Sequence, residues 1–341
     1  MLKLDKQEAL LKRCAYALEN ELRCAMGEYH EFNMKTIMVA TDLSEASYAA
    51  LSYAKQWAKR FSAKIVLVHV VDRMRNESNR DKPEARLSEV MDAAEEELLK
   101  ITSGLSYDDV RCASIVRSGK IRETIADLID ERDVDLLVIG TRGKGYKDGE
   151  ELGSVAETLL RFMPCPVLTV GRHMRSDACE GTHTRVILFP TDFSEISRAA
   201  LAYTERLTEH LVGHLLLLHV DEQDADGMQP PTPTDEFNKL LLEMQDPTLV
   251  TECLTRAGRP ADIVVSTSKE RCVDFIVMGV HGTDQANIAR NYGMAYDVIR
   301  MARCPVFTLF TEPRKEMHES GIKSDHAPVD PAILKPEAVC T

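Results

Sequence analysis

The chain has 341 residues, a formal net charge of −13 and 44% hydrophobic residues, enough for packed cores and, by length, for two ordinary domains. The acidic balance argues against nucleic acid or an anionic membrane surface as a main partner, and no apolar run reaches the roughly eighteen residues that span a bilayer. The start, Met1-Leu2-Lys3-Leu4-Asp5, lacks the apolar core of a secretion signal, and nine scattered cysteines without C-x-x-C or metal-like spacing read as free thiols of a reducing cytoplasm.

Along the chain, Leu10, Leu11, Cys14, Leu18, Leu22 and Met26 recur at helical steps with charges between them, predicting an amphipathic helix over 5–27 within an extension over 1–33. It reads either as a helix laid against its own protein or as a contact element for a partner. An internal repeat follows. Lys35-Thr36-Ile37-Met38-Val39-Ala40-Thr41-Asp42-Leu43-Ser44-Glu45 answers Arg185-Val186-Ile187-Leu188-Phe189-Pro190-Thr191-Asp192-Phe193-Ser194-Glu195, and the match runs on to Val66-Leu67-Val68-His69-Val70 and Leu216-Leu217-Leu218-His219-Val220. Each half opens strand, turn, helix, strand, with Ser44 and Ser194 as natural N-caps. The first of these helices carries Ala50, Tyr53, Ala54 and Trp57 on one face.

Polar stretches come next: 72–85, followed by a helical pattern to about residue 103, and 223–234, where Pro230, Pro231 and Pro233 are expected to exclude regular structure. Third strands are expected over 113–117 and 254–257, third helices over 120–132 and 259–271, fourth strands over 135–139 and 274–278, and fifth strands over 165–170 and 304–310. Alternating strands and helices imply a parallel sheet covered on both faces, an α/β doubly wound architecture. This predicts domains over 34–171 and 185–311, a polar linker over 172–184 and a disordered tail over 312–341.

The stretch over 136–158 carries the chemistry. Leu136-Leu137-Val138-Ile139 runs into Gly140-Thr141-Arg142-Gly143, and after nine mostly polar or small residues comes Gly153-Ser154-Val155 at the start of an apolar-periodic segment. A buried strand ending in glycine, then a helix start with free N–H groups, makes a cradle for phosphates at the carboxyl end of a parallel strand. The spacing Gly140-x2-Gly143-x9-Gly153-Ser154, with Asp135 before it and Cys165-Pro166-Val167-Leu168 after it, resembles the universal stress protein family in its ATP-binding form.

The resemblance implies two Rossmann-like, five-stranded domains of order 3-2-1-4-5 in tandem. Their edge strands would pair as they do between subunits of the family's dimers, giving a covalent pseudodimer. It also implies ATP as ligand, with AMP, ADP and bound Mg²⁺ left open. Thr41 and Asp42 would sit at the ribose or adenine amino group, the main chain of Val70 at the adenine, and Ile139 against base or sugar. Gly140, Gly143, Gly153, Ser154 and Val155 would cradle the phosphates, with Arg142 and Lys144 pairing with them or standing as solvated loop charges. Lys120 and Arg122 are weaker candidates on the same rim. For Asp42 a simple helix-capping role is the alternative.

The second half departs where phosphate would sit: Gly153 answers Tyr292 and Ser154 answers Gly293. A tyrosine there is expected to block the cradle, unless Gly293 restores the turn by a shift of one residue. His69 and His219 hold equivalent places and read as packed histidines rather than metal ligands. Cys165 and Cys304 read as core cysteines. No P-loop, no Ser-Gly-Gly loop and no His-x-Gly-His appears, which argues against attack on the α-phosphate. The expectation is therefore a cytoplasmic, ATP-binding regulatory protein of stress response with slow or no hydrolysis. A protein partner or a homodimer is expected, and no nucleic acid or membrane. An interaction scaffold is the alternative, and a weak ATPase or nucleotide-dependent transferase comes third.

Overall fold

The computed structural model describes residues 34–72, 83–141, 152–171, 174, 185–221, 233–280 and 285–310, without the side chains of 83–86, 285–292 and 310. The expected N-terminal helix, the linker and the tail lie outside these residues, apart from Met174.

Runs such as Thr36-Ile37-Met38-Val39-Ala40 are apolar on both sides of the pleat, as strands buried on both faces require. In the first half β1 (Thr36–Ala40), β2 (Lys64–Asp72), β3 (Cys112–Gly119), β4 (Leu136–Gly140) and β5 (Val167–Val170) alternate with α1 (Glu45–Phe61), α2 (Pro83–Tyr107), α3 (Ile121–Glu131) and α4 (Ser154–Phe162). The second half repeats this with β6 (Val186–Pro190), β7 (His214–Asp221), β8 (Val250–Ala257), β9 (Phe275–Val280) and β10 (Val306–Phe310). Its helices are α5 (Glu195–His210), α6 (Pro233–Glu243), α7 (Pro260–Glu270) and α8 (Gln285–Met301). Pro233, expected to break structure, instead opens α6, because proline is tolerated in a helix's first turn, where its missing N–H has no partner to lose.

All ten strands form one sheet of order β3-β2-β1-β4-β5-β10-β9-β6-β7-β8. Each half thus has the order 3-2-1-4-5. Pairing is parallel within each half, and the halves meet antiparallel at β5 and β10, with Phe307 opposite Leu168. Two buried hydroxyls tie this seam in a pseudo-twofold way: Thr169 Oγ1 donates to Val306 O (3.0 Å) and Thr308 Oγ1 to Val167 O (3.3 Å).

On one face α1, α2, α5 and α6 cover a core that crosses the seam. Trp57 lies 4.9 Å from the Phe307 ring and 5.7 Å from that of Phe275, and Phe61 stacks on His210 at 4.5 Å. On the other face α3, α4, α7 and α8 cover the second core, where the Tyr296 hydroxyl of α8 donates to the Glu157 carbonyl of α4 (3.0 Å). Because the seam is antiparallel, the carboxyl ends of the first half's strands share an edge of the sheet with the amino ends of the second half's strands.

Candidate functional site

In the order 3-2-1-4-5 the chain reverses direction of build between β1 and β4, and the cleft at the carboxyl ends of those strands is the topological switch point where open sheets take ligands. The residues of the first βα turn are held tightly. Thr41 N donates to Val68 O (2.8 Å), its hydroxyl donates to Ser47 Oγ (2.9 Å) and accepts from Leu43 N (3.0 Å), and its carbonyl accepts from His69 Nδ1 (2.8 Å). A carbonyl only accepts, so His69 carries its proton on Nδ1. Asp42 Oδ1 accepts from Ser44 N (3.1 Å), an Asx turn that precedes the Ser44 cap of α1.

The second half reproduces nearly every one of these contacts. Thr191 Oγ1 meets Ser197 Oγ at 3.0 Å, Phe193 N reaches Thr191 Oγ1 at 3.0 Å, Asp192 Oδ1 accepts from Ser194 N at 3.0 Å, and His219 Nδ1 donates to Thr191 O at 2.9 Å. Leu43 and Phe193, with φ of 60° and 61°, even share the left-handed backbone that makes the turn. Thr41, the histidine and the Asx bond of Asp42 are thus parts of how this fold leaves its first strand. The signal for them was legible as the doubled Thr-Asp-x-Ser and His, although the sequence alone did not tie the histidine to the threonine.

Val70 offers backbone. β2 runs to Asp72 while β1 ends at Ala40, and the carbonyl of Val68 already faces β1. Strand groups repeat every second residue, so the N–H and C=O of Val70 face the notch beyond the end of β1. Ile139 is 2% exposed and packs in the core between the sheet and α3 and α4, so what it presents to the cleft is main chain. Gly140 is bare for a reason of packing: a Cβ there would stand 2.9 Å from the Ala46 carbonyl of α1, and its counterpart Gly279 is equally confined by Ile196 O at 3.1 Å. Arg142, Gly143 and Lys144 lie outside the described residues.

The start of α4 is different. Gly153 N donates to Thr141 O (2.9 Å), which ties the helix start to the end of β4. Gly153 occupies the N-cap position with no side-chain bond to the helix, and the first intrahelical bond is Glu157 N to Gly153 O (2.9 Å). The N–H groups of Ser154, Val155 and Ala156 therefore find no acceptor among the described residues, at the positive end of the helix dipole. Val155 is 37% exposed beside them. This donor set has the chemistry to hold phosphate oxygens. Lys120 sits at the N-cap of α3, and Arg122 is turned onto the Phe162 ring (4.9 Å) and Glu123 (3.0 Å).

In the second half that helix start does not exist. Gly293, the counterpart of Ser154, lies well inside α8, which begins at Gln285. Gly293 therefore does not restore the turn, and its N–H lies within the helical ladder. The expected block by the Tyr292 ring concerns a side chain outside the described residues. Cys165 and Cys304 are buried, and burial pushes the Cys304 thiol up to about 12, which fits core cysteines. No group of three or more metal-ligating side chains comes together among the described residues, and no helix there is long and apolar enough to cross a membrane.

A model of the universal stress protein family matches residues 33–171 and again 183–309. The chain belongs to the universal stress protein family. It is the tandem form, with two family domains in one chain. A putative universal stress protein of Staphylococcus haemolyticus is 31% identical over 144 residues, which cover 40% of this chain and 84% of that protein. One of Methanocaldococcus jannaschii is 30% identical over 142 residues, 40% of this chain and 81% of its own length. The crystal structure of a universal stress protein from Archaeoglobus fulgidus superposes with a TM-score of 0.64 at 21% identity, covering 82% of this chain and 97% of that one, and so shares the fold across both halves.

Proposed function

We propose that the first domain binds an adenine nucleotide, ATP in the leading form, and that the protein serves as a nucleotide-dependent regulator with slow or no hydrolysis. Base and sugar would meet the main chain of Val70 and the turn at Thr41 and Asp42, and the phosphates would meet the first turn of α4. Bound nucleotide would then favour one conformation or partner surface by its differential affinity for it. The observation that carries this reading is the uncapped start of α4, set at the switch point beside Gly140. In the second half, whose first βα turn is built alike, the equivalent residue is inside a helix. One nucleotide per chain follows, held by the first domain.

Calorimetric titration of the wild type and of Gly153→Tyr with ATP, AMP and cyclic AMP tests it. Binding at one site per chain that weakens by at least ~100-fold in the variant, about 2.7 kcal/mol, is the expected result. No binding to the wild type would leave an interaction scaffold, and release of ADP at several turnovers per minute would make the protein an enzyme.

A further inference from the structure

The second half carries a groove that the nucleotide reading does not use. It lies between α7 and the C-terminal end of α8 and holds about 980 Å³, near the upper end of the ~300–1,000 Å³ usual for small-molecule sites. Val265 and Met301 give it an apolar lining, and Lys269, Arg300 and Arg303 line it with three cations against one carboxylate, Asp262. Arg300 leans toward Asp297 (3.5 Å) and Asp262 toward Arg259 (3.9 Å). Lys269 and Arg303 are exposed and meet no carboxylate among the described residues, so the groove's net charge is theirs.

That charge is not a requirement of the fold. α3 and α7 have equal length and the same spacing to the strand that follows, so the first half supplies a counterpart for each position. Asp262, Ser266 and Lys269 answer to Glu123, Asp127 and Asp130, Arg300 to Arg161, and Arg303 to Pro164. The same place thus carries three carboxylates and one guanidinium in one half, and three cations and one carboxylate in the other. α3 ends on Asp130-Glu131, so the fold does not need a cation at that position, although Lys269 also suits the negative end of α7's dipole. A cationic groove also runs against a chain of net charge −13.

The groove opens on the same edge of the sheet as the start of α4. Its wall includes Met174, just beyond β5. A Cβ placed on Gly171 would stand 3.0 Å from the Met174 methyl and 3.8 Å from Thr141 Oγ1, whose carbonyl holds Gly153 N. The two places are thus separated by little more than the end of one strand.

We infer that this groove binds a small organic anion, its carboxylate or phosphate held by Lys269 and Arg303 and its apolar body laid on Val265 and Met301. Asp262 and Ser266 can meet a hydroxyl or amine on the same molecule. The dye anilinonaphthalene sulfonate, an anion on an apolar body, is the probe, titrated by fluorescence into the full chain without nucleotide, so the outcome is independent of the first domain's ligand.

One saturable dye site per chain is expected, weakened at least tenfold in Lys269→Gln/Arg303→Gln. Both replaced side chains are exposed, so the melting temperature should stay where it is. Octanoate and phenyl phosphate, the carboxylate and phosphate arms, are the competitors, and the one that displaces dye at the lower concentration names the anionic group. Octanol should displace none. Unchanged dye binding in the double variant, displacement by octanol as effective as by octanoate, or no displacement by either acid would each overturn the inference.

Discussion

The starts of α4 and α8 are the same point in a repeated design, and they are built differently. Up to the end of β4 and β9 the halves share the contacts of the first βα turn: the Thr–Ser hydroxyl pair, the Asx turn, the histidine on the threonine carbonyl and the glycine pressed on the half's first helix. Then one half leaves α4's first N–H groups without an acceptor among the described residues, while the other begins its helix at Gln285, eight residues before the counterpart of Ser154. Contacts present in both halves report on the fold, and a feature present in one half alone is where a function unique to that half is to be sought.

The comparison can be broken at three points. The largest effect is expected at the seam. Phe307→Ala should cost about 3–5 kcal/mol in urea denaturation, because it opens a cavity and strips the ring from Trp57 and Phe275 together. Leu168→Ala, on the strand opposite, should cost less, and equal losses would mean the halves contribute alike to their junction.

Next come the two helix starts. Gly293 sits in mid-helix with nothing within 4 Å of where a Cβ would be, so Gly293→Ala should stabilise by roughly 1 kcal/mol. Gly153→Ala, at an N-cap with φ −69° and ψ 141°, should instead cost a few tenths of a kcal/mol. Opposite signs in thermal melts would establish that the two counterparts do different jobs. Equal signs would erase the distinction.

The smallest effect concerns one helix position solved in two ways. Lys55 of α1 pairs with the Asp108 carboxylate, whereas Glu205, its counterpart on α5, is 5% exposed and accepts the Asp246 N–H. Burial raises the Glu205 pKa above the ordinary value. A carboxyl whose folded pKa is raised contributes fully below the unfolded pKa, and that contribution fades as pH climbs through the folded pKa. Glu205→Gln should therefore melt above the wild type near pH 7, with the gap closing as pH falls below the usual glutamate range. A gap that widens on acidification would contradict the assignment.

Much of this architecture was legible in the sequence. The doubled motif and the strand–helix alternation gave ten strands in two equal sets, and the pairing of edges followed from the resemblance. Gly153-Ser154 marked a helix start because small residues end one pattern just where another begins. What was not legible depended on contacts across space. Nothing in the row of letters shows that Gly140 is bare because Ala46 presses on it, since 94 positions separate them. Pro233 looked like a breaker because composition does not distinguish the first turn of a helix from its interior. The asymmetry of the second half was read from Tyr292 and Gly293 standing where the first half has Gly153 and Ser154, and the structure adds a difference of backbone that no single letter shows: a helix longer by about two turns.

The antiparallel join of β5 to β10 has an evolutionary consequence. In a homodimer built this way, one codon change alters both clefts at once, so neither can be lost or retuned alone. Writing both copies into one gene removes that coupling: drift or selection at one cleft leaves the other's inheritance untouched, while the shared sheet keeps the two tethered as a single heritable unit.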